Sequence, residues 1–216
     1  MPAFDPRSNQ IIIFGGGGQG RVLVDLIRAA GMYQLAGVVD DGLPPGSDIL
    51  GAKVLGGAAL LPDLHRQGYR LAANAVGGIG NVDVRLKVFG LLHDAGFECP
   101  NLVHPTAFIE PSAMLEGGVQ VLAKTYISSA AVVGFGTLIN AGVIVSHDCR
   151  IGRCVNLSPG AALAGGVTVE DYAQIGMNAT VNVGVRVGSR CIIGNGATIK
   201  GDVPPGMRVR AGHIHP

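Results

Sequence analysis

Two regimes of hydrophobic patterning divide the chain. From Val103 onward, every sixth residue is aliphatic: Val103, Ile109, Leu115 and Val121 begin a series that runs to Val187, Ile193 and Ile199, seventeen positions that are all Val, Ile or Leu. Four places after each stands a small or β-branched residue, from Ala107, Ala113 and Val119 to Cys191, Ala197 and Val203. A period of six matches neither the 3.6 residues of a helix turn nor the two-residue alternation of a strand. It fits a solenoid in which each hexad makes one short strand and one corner, with the aliphatic side chain inward and the small one packed near the corner. Three hexads per coil give a triangular prism of nearly six coils, about 27 Å long at ~4.8 Å per coil. No hexad carries an insertion, so no long loop should leave the prism.

Ahead of the repeat, apolar runs are short and punctuated by glycine. Ile11 to Phe14 reads as a buried strand, Gly15 to Gly20 (GGGGQG) as a turn, and Arg21 to Ala30 as a helix with Val22, Leu23, Leu26 and Ile27 on one side and Gly31 as its stop. Leu35 to Val39 makes a second strand ending at Asp40 and Asp41. A strand at Leu71 to Val76, a turn at Gly77 to Asn81, a helix from Val82 to Ala95 and a lead-in strand at Glu98 to Val103 complete this part. The expected organisation is a small Rossmann-like α/β domain over residues 1–102, followed by a β-helix with a C-terminal tail over residues 103–216.

Gly15, Gly17 and Gly20 satisfy G-x-G-x-x-G. Such a turn offers backbone N–H groups and a helix N-terminus to a phosphate, and a carboxylate at the next strand end can bind ribose hydroxyls. A full dinucleotide fold needs two mononucleotide halves, and about 90 residues hold only one. The expected ligand is therefore a mononucleotide or nucleotide sugar rather than NAD, with glycine needed only for tight packing as the competing reading.

Composition narrows the partners. The 35 glycines among 216 residues, without a collagen period, mean many tight turns, and 48% hydrophobic residues supply a core. The formal charge is +1, with no Lys or Arg run to follow a phosphate backbone, so nucleic acid is not an expected partner. Met1 to Gln10 has no apolar signal region and no stretch reaches the ~20 apolar residues of a membrane span, so a cytoplasmic protein is expected. Cys99, Cys149, Cys154 and Cys191 form no C-x-x-C pair, which fits a reducing compartment. No metal site is expected, and His213 and His215 at the C-terminus read as incidental.

Within the repeat, His147 is the only histidine between Thr106 and Gly212. As the third residue of its hexad it should project from the prism, where a neutral imidazole can take a proton from an attacking nucleophile. Asp148 follows it directly, although adjacent residues of a strand point to opposite faces.

The chain resembles the bacterial sugar acetyltransferases of the sialic-acid O-acetyltransferase, bacillosamine N-acetyltransferase and perosamine N-acetyltransferase type. The likeness rests on the glycine turn, Asp40-Asp41, Gly80-Asn81 with Arg85, Asn101 to Pro105 (NLVHP), Ser146-His147-Asp148, Asn156 to Gly160 (NLSPG), Ala164-Gly165-Gly166 and Asp202 to Gly206 (DVPPG). It implies a left-handed parallel β-helix and a homotrimer with acetyl-CoA between neighbouring prisms. It further implies acetyl transfer to the 4-amino group of a nucleotide-linked 4-amino-4,6-dideoxy sugar by direct attack on the thioester. On this resemblance His147 is the general base, supported by Asp148. Gly165 supplies the oxyanion donor beside Gly166, and Asn156, Met177, Asn195 and Lys200 line the acetyl-CoA site, with Arg208 or Arg210 also near its phosphates. Gly15, Gly17, Gly18, Gln19, Asp40, Asp41, Gly80 and Asn81 hold the nucleotide sugar. Asn156 stands where the bacillosamine enzymes carry a second histidine, and Gln19 where a histidine is common. The alternatives are a sugar O-acetyltransferase of the sialic-acid type and a non-catalytic nucleotide-binding trimer.

Overall fold

The computed structural model describes Arg7, residues 9–80 and residues 82–216. The chain divides into two compact units, one of residues up to Gly77 together with Asn81–Pro100, the other of Gly78–Gly80 and Asn101–Pro216.

The first unit is a five-stranded sheet flanked by helices. Its elements are β1 (Gln10–Phe14), α1 (Gly18–Ala30), β2 (Gln34–Val39), β3 (Asp48–Ile49), β4 (Ala52–Gly56), α2 (Leu61–Arg66), β5 (Leu71–Asn74) and α3 (Val82–Asp94). The strand order is β3-β4-β2-β1-β5, with β1 parallel to both neighbours and only β3 antiparallel. Ile11, Ile12 and Ile13 of the central strand are fully buried, as a strand covered on both faces requires. The α1 helix begins at Gly18, three residues before the expected start, because the second half of the glycine run already has helical backbone. It buries Leu23, Val24, Leu26 and Ile27, whereas Val22, expected on the core side, is 39% exposed. The β3–β4 hairpin and α2 had no periodic signal, since each is too short to show one. The lead-in strand over Glu98 to Val103 does not form: Glu98 makes a single bridge to Leu71, and Leu102–Val103 is the first rung of the solenoid.

The second unit is a left-handed parallel β-helix. One coil illustrates the plan: Leu138–Ile139 lies on the first face, Ile144–Val145 on the second and Arg150–Ile151 on the third, and each pairs in register with a strand 18 residues later. The faces hold seven, seven and five strands. The aliphatic positions Val121, Ile127, Ile139, Leu157, Ile175 and Ile193 are at most 1% exposed, as are the corner residues Ala131, Ala161, Ala173 and Ala197. Most corners turn through a positive φ at the residue three after the aliphatic position, glycine at about half of them and at the others residues such as Lys124, Ala130, Asp148 (φ 59°) and Asn178.

The last coil departs from the period. Ile192 and Ile193 pair with Arg208 and Val209, and Val187 bridges Val203, so this coil has 16 residues instead of 18. Val203, expected as the small corner residue of its hexad, instead takes the inward aliphatic position of the next rung. The C-terminal tail is likewise a further rung, with Ile214–His215 pairing with Thr198–Ile199.

Candidate active site

His147 and Asp148 are the two turn residues of the corner between Ile144–Val145 and Arg150–Ile151. At a corner the strand's alternation lapses, so both side chains project together, 67% and 68% exposed. Asp tolerates the left-handed backbone there through its short polar side chain. His147 Nδ1 lies 2.8 Å from Asp148 Oδ2. An ionised carboxylate only accepts, so in the neutral ring Nδ1 carries the proton and Nε2 keeps its lone pair.

One coil further on, Gly165 occupies the same corner position and lies under the imidazole. A Cβ at 165 would stand 2.6 Å from both Cε1 and Nε2 of His147. Glycine is needed here for space. The corner is tied together through backbone: Gly166 N–H donates to the His147 carbonyl at 2.9 Å, and Gly184 N–H to that of Gly165 at 3.0 Å. Among the described residues the Gly165 N–H donates to no backbone carbonyl.

The other residues expected around an acyl donor lie elsewhere in the second unit. Met177 and Asn195 occupy the corner between the first and second faces, a different edge of the prism from His147, with Met177 N–H donating to Asn195 Oδ1 at 2.9 Å. Lys200 is exposed near the final rung, its N–H bonded to the His215 carbonyl at 2.9 Å. Asn156 is only 2% exposed. A cavity of about 430 Å³ on the third face, bordered by Arg150, Thr168, Glu170 and Asp171, does not include His147.

In the first unit the glycine turn is held by Asp40: Gly16 N–H donates to Oδ2 at 2.7 Å and Gly42 N–H to Oδ1 at 2.8 Å. Asp41 Oδ1 accepts Ala58 N–H at 2.7 Å. Both carboxylates therefore brace the backbone, with lone pairs to spare for further donors. Gly15 has φ 111°, and a side chain at Gly20 would collide with the Gly15 carbonyl, so these two serve conformation and close packing. Gly17 and Gly18 face open space and begin α1 without a side-chain cap or an acidic residue in its first turn, while Gln19 is half-buried. The uncapped N–H groups and helix dipole favour an anion there. Gly80 is exposed with φ 69°, and Asn81 lies outside the described residues. Arg85 is buried, donating to the Val76 carbonyl at 2.6 Å beneath the turn after β5. Gln174, whose Oε1 accepts the Gly80 N–H at 3.2 Å, carries no local sequence signal, and Gly78 reads in the sequence only as part of the turn at Gly77 to Asn81.

Residues 10–92 match the PglD N-terminal domain family, and residues 166–201 match the bacterial transferase hexapeptide family of six repeats. A GDP-perosamine N-acetyltransferase from Escherichia coli O157:H7 is 30% identical over 169 residues, covering 76% of this chain and 74% of that protein. The chain belongs to the hexapeptide-repeat sugar acetyltransferases of the sialic-acid, bacillosamine and perosamine type. As a member of that family it is an acetyl-CoA-dependent sugar N-acetyltransferase. Among solved structures, PerB from Caulobacter crescentus in complex with CoA and GDP-perosamine is 35% identical with TM-score 0.88, covering 94% of both chains. The acetyltransferase domain of PglB from Neisseria gonorrhoeae in complex with acetyl coenzyme A is 32% identical with TM-score 0.85, covering 95% of this chain and 97% of that one.

Proposed function

We propose that the enzyme transfers the acetyl group of acetyl-CoA to the 4-amino group of a nucleotide-linked 4-amino-4,6-dideoxy sugar, with His147 as general base. The observation that carries this reading is the His147 ring itself: Nδ1 is engaged by Asp148 at 2.8 Å, and Nε2 is left as the basic nitrogen over Gly165. The amine attacks the thioester carbon and forms the C–N bond, and its proton passes to Nε2. The carbonyl oxygen takes up negative charge, for which the Gly165 N–H is the candidate donor. The C–S bond then breaks, and the imidazolium returns the proton to the departing thiolate. Asp148 holds the tautomer and steadies the imidazolium.

The acceptor's phosphates suit the start of α1 at Gly17 and Gly18, where no side chain caps the helix and its dipole favours an anion, with Gln19 in the same set. Asp40, Asp41, Gly80 and Asn81 complete the nucleotide-sugar set. Gly166, Met177, Asn195 and Lys200 belong to the donor set. Met177 and Asn195 occupy one prism edge and His147 another, so a single chain does not gather them. This supports a homotrimer in which the edge of one copy meets the other edge of its neighbour. The second face carries an exposed apolar column suited to such packing, Phe108, Tyr126 and Ile144, at 60%, 36% and 46% exposure. Among the described residues no helix is long and apolar enough to cross a membrane.

The test is thiol release from acetyl-CoA against a panel of UDP- and GDP-linked amino and hydroxy sugars, with GDP-perosamine the first acceptor to try. Turnover of an amino sugar with N-acetyl product supports the reading. Turnover of hydroxy sugars alone would replace it with O-acetylation, and failure to bind acetyl-CoA would end it.

A further inference from the structure

Asn156 sits at an outward position of its rung, yet is 2% exposed, because Gly78 lies on top of it. A Cβ at 78 would stand 2.6 Å from Asn156 Cγ and 2.7 Å from its Cβ. The Asn156 amide is occupied as well: Nδ2 donates to Ser158 Oγ at 3.0 Å, and Oδ1 accepts from Asn140 Nδ2 at 3.5 Å. In the adjacent rung Gln174 Oε1 accepts Gly80 N–H at 3.2 Å, a link between residues 94 apart in sequence. Gly78 and Gly80 are thus pinned on the first face at two successive coils. Ile79 between them, 67% exposed, forms one side of a groove of about 280 Å³. Gln174, Ile192, Gly194 and Asn195 line the rest of it.

We propose that Asn156 and Gln174 are positioning residues for the donor: they seat Gly78–Gly80 so that Ile79 forms one wall of the groove running to Asn195. Asn156 acts through this segment and does not touch the acetyl group. The proposal rests on acetyl-CoA being the donor and on Asn195 belonging to its site.

The consequence is a binding effect separate from chemistry. Gly78→Ala unseats the segment and raises KM for acetyl-CoA about tenfold, with kcat held within about twofold, the pattern of lost uniform binding. Asn156→Ala shifts KM in the same direction. The double variant shifts it by less than the product of the two, because contacting residues couple. Gln174→Ala removes one hydrogen bond and raises KM about threefold, whereas Gln174→Glu keeps an acceptor oxygen and restores the wild-type value. Gln174 is partly exposed, so its variants read out the proposal even where Gly78→Ala fails to fold. An unchanged KM in folded Gly78→Ala or in Gln174→Ala overturns the proposal. So does a fall in kcat at constant KM in Asn156→Ala, which would put Asn156 on the reacting group. Wild-type turnover in the same assay tests the donor assignment on its own, so the two failures are distinguishable.

Discussion

Gly165→Ala isolates the geometry of the general base. The added methyl would lie 2.6 Å from His147 Cε1 and Nε2 and 3.3 Å from Cδ2. Non-bonded carbon and nitrogen atoms rest at about 3.5 Å or more, so the ring must retreat by about 1 Å. That retreat either stretches the 2.8 Å bond to Asp148 or swings Nε2 away from the attacking amine. A misplacement of that size costs about 10²-fold in rate. Ala keeps the backbone N–H, and φ at 165 is not left-handed, so neither the oxyanion donor nor the fold is lost. The expected result is a kcat about 10²-fold lower, with KM for acetyl-CoA nearly unchanged and a denaturation midpoint at or slightly above wild type. Thiol-release kinetics and urea unfolding on the same preparations measure all three. A folded Gly165→Ala enzyme with kcat within about twofold of wild type would refute the packing argument.

Asp148→Asn keeps a residue that accepts φ 59° but replaces the carboxylate. Because the pair is solvent-screened, kcat should fall by only about tenfold, and an equal loss in Asp148→Ala, which also removes the oxygen that accepts from Nδ1, would show that the carboxylate charge and not tautomer control is the whole effect. Leu157→Ala opens a cavity in the fully buried β-helix core and should cost about 3 kcal/mol in urea unfolding, and a loss under about 1 kcal/mol would mean that the prism collapses onto the gap. Burial pushes the Cys99 thiol up to about 12, the nearby Arg85 charge opposing the shift. The folded state then keeps a proton that the unfolded chain releases above about pH 8.5, so this contribution is intact below that pH and is lost as pH rises toward 12. Between pH 8 and 11 the urea midpoint of wild type should fall more steeply than that of Cys99→Ala, and parallel curves would remove Cys99 from the account.

The β-helix was legible because its period belongs to no other element, and because each inward position admits only Val, Ile or Leu against a fully buried axis. The shortened last coil was not, since Val203 satisfies both the β-branched corner class and the aliphatic inward class. In the first unit β1, α1 and β2 declared themselves through an apolar run, a helical spacing and a glycine turn. The two-residue β3 and six-residue α2 are too short to repeat their periods. His147 stood out by its isolation in the repeat. Its support by Asp148 followed from the resemblance rather than from the strand pattern, since alternation argues against the contact and only the corner allows it. The bracing of the glycine turn by Asp40 and the seating of Gly78 on Asn156 depend on contacts between residues far apart in the chain, which no local pattern encodes.

The mechanism turns on His147 taking the proton from the acceptor. It is tested most directly by single-turnover acetyl transfer with His147→Asn, which keeps a planar hydrogen-bonding group but cannot act as a base near neutral pH. With the acceptor that the wild-type enzyme turns over, the expected rate is lower by about 10²–10⁴-fold with acetyl-CoA still bound at wild-type affinity. A rate within a few-fold of wild type would contradict it.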